Sequence, residues 1–435
     1  MISVDVLIVG GGSAGCFAAL GAKAHGLRVM IIEPHNVLGG QGTAGGVAGF
    51  CGDTHRVNQP FHDVCALLEK DGLIAPLDEE ADRRPYDLES FAFHLQEFVI
   101  ARGVEVFFHA RVVDVVCKAK RVREATVAAG GQLYRIRAKV VIDATGECVV
   151  PHKAGFKTFH EGAHKQLPMS LYFTLWDGRK KVKPVLPKGC PRWRGDKQLP
   201  MTTLHEFPSG KIEVKMKVIG FDAADPLSLS EAEVEGRRAM MGLIYHLQTK
   251  GYRGKVYDHH VLASVSRQIG VREGRRIVGE HVLSLDQVMN GAQFPDAVSV
   301  GTYHLDYHWP DKVERAGTGI TTYVPPYHIP LRSLIPNGAK NILVPGRGAS
   351  GDQMAMSSYR VMATCIQMGF AAGIVARTCI RDGVDVGKVD IKKVQRTLRR
   401  NGQSVKLSEY GAYQARHRAA QAKGVHIKPP GSEEN

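Results

Sequence analysis

The sequence predicts an α/β fold: a parallel sheet carrying an antiparallel meander, interrupted by an inserted α+β region. Three stretches carry that expectation. Residues 4–9 are an apolar-rich run that enters a glycine cluster and then a small-residue helix pattern. Residues 139–147 are a second apolar run, ending in Ala144-Thr145-Gly146-Glu147. Residues 341–347 are a third, ending in Gly346-Arg347 and leading into another small-residue helix pattern over 362–377.

The first unit reads residue by residue. An apolar run bounded by glycine is a buried parallel strand. Gly10, Gly12 and Gly15 follow at G-x-G-x-x-G spacing, with Ser13 and Ala14 between the last two. Gly10 lets the strand turn, Gly12 lets a pyrophosphate approach the backbone, and Gly15 lets helix and strand pack closely. The helix N-terminus offers free N–H groups to the phosphates. A second apolar run ends in Glu33, 18 residues past Gly15, where a carboxylate accepts the hydroxyls of an adenosine ribose. This order is the βαβ unit of a dinucleotide site.

Bulk numbers set the frame. The chain has 435 residues, 44% hydrophobic and 23% charged, enough for more than one domain and a large core. Uninterrupted apolar runs fall short of the roughly 18 residues that span a bilayer. The N-terminus enters a strand with no basic leader. A cytoplasmic protein without a membrane span is expected. The eight cysteines show neither C-x-x-C nor metal-ligand spacing, so they read as reduced core thiols and no metal is expected. Net charge is +14, and from Lys388 on there are eleven Lys/Arg against four Asp/Glu. That end reads as a solvated basic tail or as an arm for nucleic acid or an anionic surface. Aromatics for base stacking are sparse there (Tyr410, Tyr413).

The remaining elements follow in order. Five glycines within 38–46 exclude helix and strand and give a loop that runs back over the cofactor. Asp87 begins an amphipathic helix over 88–102, and 104–108 is the next strand. Residues 112–116, 122–128 and 132–137 form the meander, with 139–147 as a separate parallel strand. Residues 171–176 and 211–218 alternate like antiparallel strands, and 178–200 is an exposed loop. Ser230 caps a helix over 230–250, with Glu233 at the capping-box position. The expected domains are 1–160 and 316–385 for the dinucleotide, 161–315 for the substrate, and 386–435 as a basic helical tail. Within 266–279, Arg272 and Arg276 share a helix face, as a carboxylate clamp or a structural salt-bridge network. His304, Asp306 and His308 lie on one side of an extended segment, a spacing that suits a histidine assisted by a carboxylate better than a metal.

With those stretches in hand, the chain resembles the FAD-dependent oxidoreductases of the glutathione-reductase-like superfamily, in the branch related to fumarate reductase and succinate dehydrogenase flavoproteins. DVLIVGGGSAGCFAALGAKAHGLRVMIIE, VVIDATGE, RQIGVREGRRIVGE, YHLDYH, PPYHIPLRSLIP and NILVPGRGASGDQMAMSSYRVMATCIQMGFAAG carry the resemblance. It implies a Rossmann-like FAD-binding domain with an inserted α+β substrate domain. It places Gly10, Gly12, Gly15 and Glu33 at the ADP half, and Gly39, Gly40 and Thr43 near the ribityl chain and ring. Val112 matches a backbone contact to adenine, Ala144, Thr145 and Gly146 a second pyrophosphate or ribityl segment, and Gly346 and Arg347 the late FAD strand. Arg272, Arg276, Asp306, His308, Arg332 and Arg360 match polar positions around the flavin and substrate.

The chain departs from the pattern at Gln353, where a histidine is common, and at Leu331, where tyrosine is. The missing histidine shifts weight to His308, His304 and His328. The expected chemistry is hydride transfer between a small polar or carboxylate-bearing molecule and flavin N5. Arginines such as Arg272 and Arg360 bind the anion, and His308, oriented by Asp306, acts as base. The alternative is a flavoprotein that binds RNA through its basic tail. Cys51 reads as a packed turn cysteine or as a thiol beside the flavin or substrate. The electron donor or acceptor and the oligomeric state stay open.

Overall fold

The computed structural model describes residues 1–78, 83–206, 210–311 and 319–422. Its main sheet has seven strands. Glu105–Phe107, Val29–Ile32, Ile2–Val9 and Gln132–Asp143 lie side by side and parallel. Arg121–Ala129 and Ala110–Lys118 continue from Gln132–Asp143 as an antiparallel meander.

The meander and the second parallel strand are one element, not two. Gln132–Asp143 pairs antiparallel with Arg121–Ala129 through Ile136, while its second half runs parallel to Ile2–Val9 as far as Asp143. Where the meander peels away, Ile342–Leu343 takes the vacated edge at Val141 and Ile142. The charges at Arg135, Arg137 and Lys139 break the hydrophobic pattern mid-strand because that stretch is solvent-facing.

Two helices cover this sheet, Ser13–Ala22 and Met362–Asp382. They cross backbone to backbone. A Cβ at Gly369 would overlap the Ala14 carbonyl, one at Gly373 the Ala18 carbonyl, and one at Gly21 the Phe370 carbonyl. Met362–Asp382 has 21 residues and mean hydropathy 1.4, long and apolar enough by composition to cross a membrane, yet 83% of its apolar window is buried inside the protein. Its apolarity is accounted for by the helix and sheet packed around it. The expectation that no stretch reaches that length counted uninterrupted apolar residues, and Thr364, Gln367 and Thr378 interrupt this one while staying buried.

A second core gathers between 169 and 271. Its sheet runs Thr203–Glu206, Lys211–Val218, Met169–Asp177, His260–Val265, all antiparallel. Helix Pro226–Thr249 packs on one face, against Leu171, Phe173, Val214 and Met216. This helix begins earlier than Ser230. Asp225 is the cap, its carboxylate accepting from the Leu227 and Ser228 N–H groups, and Pro226 opens the first turn. Ser230 instead donates to the Pro226 carbonyl, and Glu233 accepts from the Ile269 N–H. From Ile277 to Val344 most of the buried hydrophobic residues belong again to the first core, Val300 excepted.

The basic C-terminal segment is not a detachable arm over its described length. Helix Ile391–Arg400 buries Val394 and Leu398 in the main core and exposes Lys392, Lys393, Arg396, Arg399 and Arg400. Gln403 is fully buried and donates to the Val298 and Gln367 carbonyls at 2.9 and 3.0 Å. Tyr410 and Tyr413 pack on Val300. The last thirteen residues of the expected tail, 423–435, lie outside the described residues.

Candidate active site

A single cavity of about 910 Å³ runs between the two cores. Glu33, Arg111 and Val112 line one end; Tyr172, Lys215, Arg272, Asp306, His308 and Arg360 line the other. Between them the wall is backbone-rich: Gly10, Gly12, Ser13 and Ala14 from the first turn, Ala144, Thr145 and Gly146 from the second, Gly346 and Arg347 from the third.

Local chemistry fixes each turn. Gly10 has φ +98°, and a Cβ there would stand 2.7 Å from the Ala144 carbonyl oxygen. Gly12 is different: a Cβ there would stand 3.8 Å from the Gly40 α-carbon and 4.0 Å from the Ala144 carbonyl oxygen, ordinary contact without overlap. Helix Ser13–Ala22 begins at Gly12 with no side-chain cap, and helix Met362–Asp382 begins at Val361 with none either. Gly12, Ser13, Ala14, Val361 and Met362 all line the cavity. Two open helix N-termini therefore face one elongated space, an arrangement suited to pyrophosphate at one and an electron-rich ring at the other. Glu33 is buried, its carboxylate accepting from Gly11 N–H at 2.7 Å and His35 N–H at 2.9 Å. Burial raises its pKa and those N–H groups lower it. This cradle fits FAD.

Other expected cofactor residues stand behind the wall. Gly15 does not face the cavity; a Cβ there would overlap the Gly10 carbonyl oxygen. Gly39 donates its N–H to the Gly11 carbonyl at 2.8 Å, and the Thr43 hydroxyl donates to Leu38 at 2.6 Å. From that glycine loop, Gly40 and Gln41 are the lining residues. Arg347 clasps the second turn, donating to the Gly146 carbonyl at 3.0 Å and pairing with Glu147.

At the far end, strand Leu305–His308 turns Asp306 and His308 onto the wall. His308 Nε2 lies 3.1 Å from Asp306 Oδ1, and Arg360 donates to Asp306 Oδ2 at 2.7 Å and to its carbonyl at 3.0 Å. Asp306 sits well below the usual carboxylate range: burial works against ionisation, and His308, Arg360 and Arg272 outweigh it. His308 is lowered to about 4, first by burial and then by Arg272. The imidazole is thus neutral near pH 7. Its Nε2–H donates to Asp306, which leaves a lone pair on Nδ1, and Nδ1 is buried without a hydrogen-bond partner. Arg272 donates to the Pro168 carbonyl at 2.7 Å. Burial and the neighbouring Arg360 lower its pKa.

The His308 shift has a measurable consequence. The unfolded imidazole titrates near 6.5 and the folded one near 4, so the unfolded state takes the proton first as pH falls. Stability therefore declines between about pH 6.5 and 4. Thermal melts across that window will show the decline, and His308→Gln will flatten it.

Several expected residues are placed elsewhere. The 266–279 stretch is not a helix; Gly270 and Gly274 interrupt it, and Arg276–Ile277 pairs as a short strand with Thr158–Phe159. Arg272 and Arg276 accordingly point apart. Arg276 is buried, bonded to Glu273, Glu161 and the Gly351 carbonyl, so the structural network is its role. Gln353, at the position of the missing histidine, donates to Glu273 at 2.8 Å. His328 bonds the backbone of Phe294 and Val405 through its two ring nitrogens. Arg332 is half-exposed and paired with Asp296. His304 stacks on Tyr303 with ring centroids 4.0 Å apart. Cys51 stands on strand Gly49–Cys51 at the cavity wall, and burial pushes its thiol up. Sequence reasoning passed over Lys215, Tyr172, Tyr303 and Arg83, which line the same end. The alternation over 211–218 held the signal for Lys215, since every second residue of that strand shares its face.

The chain matches the family of FAD dependent oxidoreductases over residues 5–398. It belongs to that family. It is therefore an FAD-dependent oxidoreductase, an enzyme, with FAD as cofactor. It is 32% identical to a digeranylgeranylglycerophospholipid reductase of Methanosarcina mazei over 166 residues, 35% of this chain and 40% of that protein. It is 30% identical to a thiamine thiazole synthase of Methanococcus vannielii over 159 residues, 34% of this chain and 57% of that one. The chain thus spans less than two thirds of the curated relatives it matches. A geranylgeranyl bacteriochlorophyll reductase-like protein of Thermoplasma acidophilum shares the fold, with TM-score 0.50 and 15% identity over 98% of this chain and 93% of that one.

Proposed function

We propose that this FAD-dependent oxidoreductase transfers a hydride between flavin N5 and a small carboxylate-bearing substrate held at the Arg272 end of the cavity. The convergence of Arg272, Asp306, His308 and Arg360, from three separate segments, on one end of the FAD cavity supports this reading above all else. FAD supplies the hydride acceptor or donor. Arg272 holds the substrate carboxylate, its guanidinium suiting a two-pronged contact. Asp306 fixes both His308 and Arg360, so neither swings away from the substrate. His308 takes the proton that leaves with the hydride. A carboxylate on Arg272 offsets the charge that depresses His308, so the imidazole becomes a better base when substrate is bound. The charged groups of this wall favour an anion over the prenyl lipid in the name of the Methanosarcina relative.

The test is binding. Glyoxylate and acetate, titrated into the purified holoprotein, will perturb the flavin absorbance. Arg272→Gln will weaken that binding by about 2 kcal/mol or more, since one side of a partly desolvated ion pair is lost. Equal affinity in both proteins removes Arg272 from the proposal.

A further inference from the structure

The polar face of the second sheet carries an amine that the mechanism above does not use. Along Lys211–Val218, Ile212, Val214 and Met216 enter the second core, so Glu213, Lys215 and Lys217 face the other way. Glu213 pairs with Arg83 at 3.5 Å, and Lys217 donates to the Trp309 carbonyl at 2.8 Å. Lys215 stands between them on the cavity wall, next to Tyr172 across the ladder. Among the described residues it makes no hydrogen bond or ion pair; longer-range interactions reach it, Arg272 and Arg83 against Asp306 and Cys51. Asp306 is itself committed to His308 and Arg360.

We propose that Lys215 is a nucleophilic amine that captures the carbonyl of a 2-oxo acid as an imine while the acid's carboxylate rests on Arg272. This rests on the small-carboxylate reading of the site and names its substrate class. The ε-nitrogen forms a bond to the carbonyl carbon, and the carbonyl oxygen leaves as water with both amine hydrogens. No oxidant or reductant is consumed, and the same water reverses the step. A 2-oxo acid is what hydride removal from a 2-hydroxy acid leaves. The amine therefore stands where the oxidised partner of the flavin reaction lies.

The environment supports such an amine. Burial, then the Arg272 charge, brings Lys215 down to about 8. At pH 8 about half of it is free amine, against under about one per cent for an ordinary lysine. A lysine desolvated beside a second cation is an established way to make a nucleophile at neutral pH.

The test uses the holoprotein, glyoxylate or acetaldehyde as carbonyl, and cyanoborohydride to fix any imine, with peptide mass mapping. Lys215 will be labelled at least about tenfold faster than exposed Lys183 and Lys188, which follows from its larger free-amine fraction. Glyoxylate will outpace acetaldehyde at Lys215 alone, and Arg272→Gln will erase that preference while acetaldehyde labelling persists. Lys215→Arg will retain FAD and lose the label. Equal rates for the two carbonyls at a fast Lys215 support the amine and remove the Arg272 clamp instead. A Lys215 unlabelled, or labelled no faster than the exposed lysines in FAD-loaded protein, overturns the proposal.

Discussion

His308→Ala lowers the rate of flavin reduction by about 10²–10⁴-fold, the span of a lost general base, while FAD stays bound. His308 lines the cavity from strand Leu305–His308, separate from the Gly12 turn and Glu33, so its loss leaves those residues in place. Asp306 already accepts from Nε2–H and from Arg360, while the His308 Nδ1 has no hydrogen-bond partner among the described residues. Asp306→Asn should cost nearly as much, because an amide can donate to Nε2 and force the proton onto Nδ1. Rapid-mixing measurements of flavin bleaching read both. Unchanged reduction in His308→Ala, at full flavin content, removes the base from the mechanism.

Gly15→Ala yields protein without FAD. The added methyl overlaps the Gly10 carbonyl oxygen, and the Gly10 turn lies so close to the Ala144 and Thr145 backbone that a Cβ on Gly10 itself would stand 2.7 Å from the Ala144 carbonyl oxygen. The helix start must shift, and both the phosphate-facing N–H groups and the helix–strand packing move with it. Gly12→Ala separates the two effects. Its methyl meets no protein atom within 3.8 Å, so the apo chain should melt as the parent does and yet fail to bind FAD. Flavin-to-protein absorbance ratios and apo melting temperatures give the two readouts. Full FAD occupancy in Gly12→Ala contradicts the placement of the pyrophosphate there.

The dinucleotide half of this molecule was legible because its signals are local. A glycine at +98° beside a strand end, a small-residue helix and a buried terminal acid each follow from backbone sterics within thirty-odd residues. The late strand and helix were legible for the same reason; Arg272, Asp306 and His308 were singled out by residue type and spacing, and Arg360 by the family resemblance. What escaped depended on tertiary neighbours. Arg276 differs from Arg272 only in that an extended chain turns it into Glu273 and Glu161, which no helical wheel reveals. The Asp225-Pro226 start of the long helix was overlooked in favour of a weaker serine signal. The basic tail looked solvated because its charges outnumber its few anchors, yet Val394, Leu398, Gln403 and Tyr410 are enough to seat it. Lys215 was visible as one charge among four on an alternating strand; its lack of a partner among the described residues required the fold.

In the proposed reaction a carboxylate-bearing molecule exchanges a hydride with flavin at its 2-position while Arg272 holds the carboxylate and His308 the proton. Anaerobic mixing of the purified holoprotein with a panel of small 2-hydroxy and 2-amino acids tests it most directly. The expected result is bleaching of the flavin by at least one of them, slower when the 2-position carries deuterium, and lost in both Arg272→Gln and His308→Ala. Bleaching that persists undiminished in both variants contradicts the account.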